Sequence, residues 1–81
     1  MTQIKICGLM RSGDVSLCGK LGVDTAGFVV DYPAAVPWNL RKNDAAPLLR
    51  QAACFMKTCV VTGGPRERIL KLAKDLRPDF V

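Results

Sequence analysis

The sequence predicts an α/β fold built on parallel strands, and three observations lead there. Apolar residues change period along the chain, from two to three or four and back, so strand-like and helix-like segments alternate. The AVILMFWYC set makes up 49% of the chain against 23% charged residues, which excludes a disordered polar chain because that much apolar surface must be buried. The strand segments are short apolar runs closed by glycine or proline, the pattern of strands covered on both faces. A length of 81 residues allows one small unit and excludes a two-domain enzyme.

Gln3 to Cys7 alternates, with Ile4 and Ile6 on one face and Lys5 and Cys7 on the other, and Gly8 closes it as a first strand. Ser12 is placed to cap a helix from Gly13, with Val15, Cys18 and Leu21 along one side and Gly22 ending it. Thr25 to Val30 is a nearly all-apolar second strand. Tyr32 to Asn39, with Pro33 and Pro37, reads as a loop. Asn43 is a suitable cap for a second helix to about Ala53, with Pro47 in or just after its first turn and Leu48, Leu49 and Ala52 facing inward. Phe55 to Val61 is a third strand, broken by Gly63 and Gly64. Pro65 opens a third helix whose inner stripe is Ile69, Leu72, Ala73 and Leu76, closed by Pro78. Asp79 to Val81 begins a fourth strand.

Strand and helix in that alternation make a parallel sheet with crossover helices. A doubly wound sheet usually carries a Gly-rich phosphate loop after its first strand, and residues 7–13 have neither the dinucleotide nor the P-loop spacing. A (β/α)8 barrel needs about 200 residues or more, so residues 1–81 are expected to form a single incomplete barrel domain, less than half of one, ending inside an apparent strand.

Twelve Lys and Arg against seven acids give a net charge of +5, enough to attract anions. Only Arg66, Arg68, Lys71, Lys74 and Arg77 gather on one segment, and a solvated helix face is the simpler reading than a nucleic-acid surface. No stretch is apolar for long enough to span a membrane, and the N-terminus has no signal-peptide pattern, so a cytoplasmic protein is expected. Cys7, Cys18, Cys54 and Cys59 are irregularly spaced and there is no histidine, so free thiols are expected rather than disulfides or a metal site.

Specific residues carry a resemblance. Lys5-Ile6-Cys7-Gly8-Leu9, then Arg11 and Asp14, then Gly22-Val23-Asp24, then Gly27-Phe28-Val29 followed by Tyr32-Pro33, resemble the N-terminal part of the phosphoribosylanthranilate isomerase family. In that family these stretches form the first two strands of a TIM barrel, and one like Arg77-Pro78-Asp79-Phe80-Val81 opens the fourth. The resemblance therefore implies an N-terminal partial (β/α)8 TIM barrel of about three βα units and the start of a fourth strand.

It also implies the chemistry: an Amadori rearrangement of N-(5-phosphoribosyl)anthranilate to 1-(2-carboxyphenylamino)-1-deoxyribulose 5-phosphate, a step of tryptophan biosynthesis that needs no cofactor and no metal. A general acid protonates the ribose ring oxygen to open a Schiff base. A general base then takes the C2′ proton, giving an enolamine that becomes the ketone. Cys7 matches the family's base, and the end of a barrel strand is where barrel active sites assemble. Its position alone fits a buried structural thiol equally well. The family's general acid, an aspartate on a later strand, and its phosphate-binding loops have no counterpart in these residues. Asp31, at the end of the second strand, is the carboxylate best placed to approach Cys7, and it is not assigned the acid role. Where the family has an S-P-R loop whose arginine grips the anthranilate carboxylate, this sequence reads Val36-Pro37-Trp38. Trp38 either stacks on the substrate ring, with Arg41 or Lys42 supplying charge, or covers the barrel rim.

The expected partner is thus a small phosphorylated substrate, with neither nucleic acid nor membrane. The alternative is a non-catalytic barrel remnant or fragment that self-associates, and by itself the 81-residue chain is expected to be inactive.

Overall fold

A computed structural model describes residues 2–81. In chain order the elements are β1 (Lys5–Ile6), α1 (Ser12–Lys20), β2 (Thr25–Val30), β3 (Asn39–Leu40), α2 (Lys42–Ala53), β4 (Lys57–Val61) and α3 (Arg66–Leu76). All strand pairs are parallel. β2 is central, with β4 along one edge from Thr25 to Val29 and β1 on the other at Thr25 and Ala26. Phe80 adds a single parallel bridge to Cys59, the fourth strand the sequence predicts.

Val29 pairs with both Asn39 and Val61, so β3 must lie on the β1 side of β2. It takes the stretch of edge that β1 leaves vacant above Cys7. This short strand replaces the end of the expected loop.

The two faces of the sheet differ. Ala26, Phe28 and Val30 of β2 and Val60 of β4 are almost wholly buried, and they share one cluster with Val15 of α1, Leu72 of α3, and Ala45, Leu48, Leu49 and Ala52 of α2. Each large side chain removed from water there contributes about 1.5–3 kcal/mol. The in-register pairs Lys5–Thr25–Lys57 and Gly27–Cys59, with Cys7 two residues beyond Lys5, place the alternate residues on the opposite face. Among the described residues no helix covers that face, the one the expected barrel would enclose.

Backbone chemistry sets the element ends. α1 stops in a Schellman arrangement: Val23 N–H donates to the Cys18 carbonyl and Gly22 N–H to that of Gly19, with Gly22 at φ +77°. α3 stops where Arg77 turns left-handed (φ +50°) and donates its N–H to the Ala73 carbonyl, ahead of Pro78. β4 starts at Lys57 rather than Phe55, because the Phe55 and Met56 amides bond back to the Ala52 carbonyl.

Ser12 and Asn43 do not cap. Arg11 and Arg41 hold the cap positions, with no side-chain bond, so α1 starts one residue and α2 two residues earlier than expected. The first helical bonds run from Val15 to the Arg11 carbonyl and from Ala45 to the Arg41 carbonyl, and both donors are wholly buried. Packing of those residues sets the first turn. Outside, Lys42 Nζ meets Asp75 Oδ2 at 2.8 Å and ties α2 to α3. That hydrogen bond, with the nearby charges of Lys42, Lys71 and Lys74, outweighs desolvation and holds the Asp75 carboxyl below its usual range.

Candidate functional site

The C-terminal end of β1 supplies the first component. Cys7 is a free, exposed thiol on the uncovered face, and Gly8 follows at φ +81°, a conformation that favours glycine. The chain thereby leaves the strand at once, and Leu9 N–H returns to the Gly27 carbonyl at 3.2 Å.

Gly27 explains how the thiol fits. A Cβ at that position would stand 3.0 Å from Cys7 Sγ and 3.1 Å from Cys7 Cα, so a side chain there would displace both the thiol and its backbone. A glycine inside an apolar strand run is the sequence signal of such a close approach, and the sequence reading gave Gly27 no role.

Trp38 supplies the second component. A Cβ added at Gly8 would lie 3.6 Å from its Cγ, so the indole rests directly against Gly8. Cys7, Gly8 and Trp38 line an open hollow of about 400 Å³. Trp38 also lines, with Val29, Tyr32, Val36 and Val61, an apolar hollow of about 230 Å³. Trp38 is therefore a wall shared by the hollow of an exposed thiol and an aromatic-sized apolar recess.

The remaining candidates lie elsewhere. Arg41 is exposed at the start of α2, its carbonyl bonded to the Asp44 and Ala45 amides, and it lines neither hollow. Lys42 is engaged with Asp75 on the helical side. Asp31 sits one residue past β2 at φ +47°, its N–H bonded to the Leu40 carbonyl and its own carbonyl accepting from Arg68 Nη2. Lys5 is exposed on the Cys7 face, and the Lys42–Asp75 contact is the only ion pair among the described residues. No three of His, Cys, Asp and Glu gather as a metal site among those residues, and no helix is long and apolar enough to cross a membrane.

No protein-family profile matches the chain. Curated relatives do. It is 32% identical over 81 residues to N-(5'-phosphoribosyl)anthranilate isomerase 1 of Methanosarcina mazei, covering 99% of this chain and 35% of that protein. It is 33% identical over 82 aligned positions to N-(5'-phosphoribosyl)anthranilate isomerase of Xanthomonas oryzae, covering 99% and 36%. Among solved structures, TrpF from Jonesia denitrificans superposes with a TM-score of 0.85 at 26% identity, over 96% of this chain and 38% of that one. The chain thus spans about a third of the length of the curated relatives it matches, and its parallel sheet with outer helices is part of a TIM barrel. In sequence and in fold this chain resembles the phosphoribosylanthranilate isomerase family.

Proposed function

We propose that these residues form part of a phosphoribosylanthranilate isomerase site, in which Cys7 takes the C2′ proton of the opened aminoaldose and Trp38 receives the aromatic ring. The observation that carries this reading is the position of the thiol: on the uncovered face, at the C-terminal end of β1, seated on Gly27 and beside an apolar recess. A base must reach C2′, one carbon beyond the C1′ that bears the anthranilate nitrogen, so thiol and ring-binding wall have to lie close together. Here a single indole borders both hollows. In a polypeptide carrying the whole barrel, Cys7→Ser is expected to lower kcat by about 100-fold with the fold retained, as for loss of a positioned base. A kcat within the error of the parent would remove Cys7 from the mechanism.

A second reading rests on a separate observation. The chain exposes 5492 Å², whereas a folded monomer of its 8.8 kDa is expected to expose about 4,800 Å². The excess is close to the ~800 Å² that one partner contributes to a standard interface. β1 pairs only with β2 among the described residues, and Ile4, Ile6 and Phe80 lie exposed along the sheet. Open parallel edges of this kind recruit another strand. Within β1, β2 and β4 and at Cys7, the uncovered face presents two lysines, a threonine and two cysteines as polar groups, and no carboxylate to act as general acid. The 81-residue chain by itself is accordingly expected to be a self-associated, inactive species. Sedimentation and an isomerase assay on it check both halves: a stable monomer at tens of micromolar refutes association, and turnover refutes inactivity.

A further inference from the structure

Trp38 borders the thiol only because the seven residues before Asn39 fold back, and the sheet does not account for that return. β2 ends at Val30, Asp31 turns out of it at φ +47°, and Tyr32 has no strand neighbour for its backbone. Asn39 takes that place. Its Oδ1 accepts the Tyr32 N–H at 3.0 Å, and its Nδ2 donates to the Tyr32 carbonyl at 3.0 Å. One carboxamide thus satisfies both backbone groups of a residue seven positions earlier, as a paired strand would.

The loop is held from three further sides. Asp31 N–H bonds the Leu40 carbonyl at 2.8 Å, and Asn39 N–H bonds the Val36 carbonyl at 3.1 Å. Gly63 abuts the far side, where a Cβ would stand 3.2 Å from Pro33 Cδ. Asn39 is joined to Trp38 by a single peptide, so fixing its side chain fixes the direction from which the indole approaches Gly8. The residue type follows from the geometry. Aspartate would accept the amide but repel the carbonyl, whereas the carboxamide offers a separate acceptor and donor, one for each group.

We propose that Asn39 is the positioning residue of this mouth: its carboxamide clamps Tyr32 and thereby holds Trp38 between the Cys7 hollow and the apolar recess. As a statement about ring binding, the inference rests on the isomerase reading; as a statement about Trp38 and Cys7, it does not.

Trp38 is the sole tryptophan, so its emission reports the loop directly. Asn39→Leu removes both bonds at similar volume. In the 81-residue chain it is expected to shift Trp38 emission to the red, to make it more accessible to acrylamide, and to raise alkylation of Cys7 relative to exposed Cys54 by about fivefold, the lower end for losing two exposed hydrogen bonds. Asn39→Asp, which keeps only the acceptor, should fall between the parent and Asn39→Leu, and it carries the test by the same criteria if Asn39→Leu does not fold. Trp38→Ala should raise the Cys7 to Cys54 ratio as much as Asn39→Leu does. Unchanged emission and an unchanged alkylation ratio in a folded Asn39 variant would overturn the clamp. In a polypeptide with the whole barrel, Asn39→Leu should raise KM more than it lowers kcat. If emission and alkylation respond while KM does not, the clamp stands and the ring-binding role of Trp38 falls.

Discussion

The strands enter and leave the sheet by different means at its two ends. At the N-terminal end, aspartates are bound to the backbone: Asp24 Oδ2 accepts the Ile4 N–H at 2.7 Å, and Asp79 Oδ2 accepts the Thr58 N–H at 2.8 Å. The device is the same in both places, a carboxylate entering one strand that takes an amide of the strand before it. At the C-terminal end the strands stop by backbone conformation instead, at Gly8 and Asp31, both with positive φ. Among the described residues, that end leaves a thiol, an indole and the buried Thr62 hydroxyl without a hydrogen bond. Positive φ also occurs at the other end, at Gly22 and Arg77, but there it terminates helices. In barrel enzymes the N-terminal face serves stability and the C-terminal face serves chemistry, a division these two ends would follow under the proposed function.

The sharpest test of the comparison removes one carboxylate. Thr58 is 3% exposed, and its amide and hydroxyl both contact Asp79 Oδ2, while the hydroxyl accepts the Asp79 N–H in return. Asp79→Ala leaves a buried amide without its charged acceptor, at an expected loss of about 2–3 kcal/mol. Chemical denaturation should show a lower midpoint at unchanged slope. Asp24→Ala should lose less, because the exposed Ile4 amide lies just before β1 and water can replace the carboxylate. Equal losses would mean that the shared geometry, rather than burial, sets the stabilisation.

How much of this was legible in the sequence differs between the same two ends. β2 and the inner stripes of α2 and α3 were readable because local apolar periodicity and burial coincide: Phe28, Leu48, Leu49 and Leu72 are buried as the pattern requires. β3 was not readable. It consists of two residues, and it pairs only because β1 turns away at Gly8 and leaves an edge of β2 open, which is a property of three segments together. Cys7 and Trp38 could each be singled out from the sequence, but their shared hollow depends on that same non-local return of the chain. Asn39 carried no signal beyond being a turn-favouring residue beside a proline loop. The helix starts were misplaced because cap chemistry is a contribution of about 1 kcal/mol, less than the burial of Val15 and comparable to that of Ala45.

A smaller effect tests whether the C-terminal end really rests on conformation. In Gly8→Ala the new Cβ would find Trp38 Cγ at 3.6 Å, an ordinary contact, so crowding contributes little. What remains is the positive φ of +81°, which costs an L-residue about 1–2 kcal/mol. The expected loss is therefore below that of Asp79→Ala, with Trp38 emission nearly unchanged. Gly8→Asn separates the two causes, because asparagine tolerates the left-handed region better than alanine while bringing a larger side chain toward the indole. If conformation dominates, Gly8→Asn is the more stable of the two. If it is the less stable and its tryptophan emission shifts, contact with Trp38 sets the requirement for glycine, and that end depends on packing as the opposite end depends on its carboxylates.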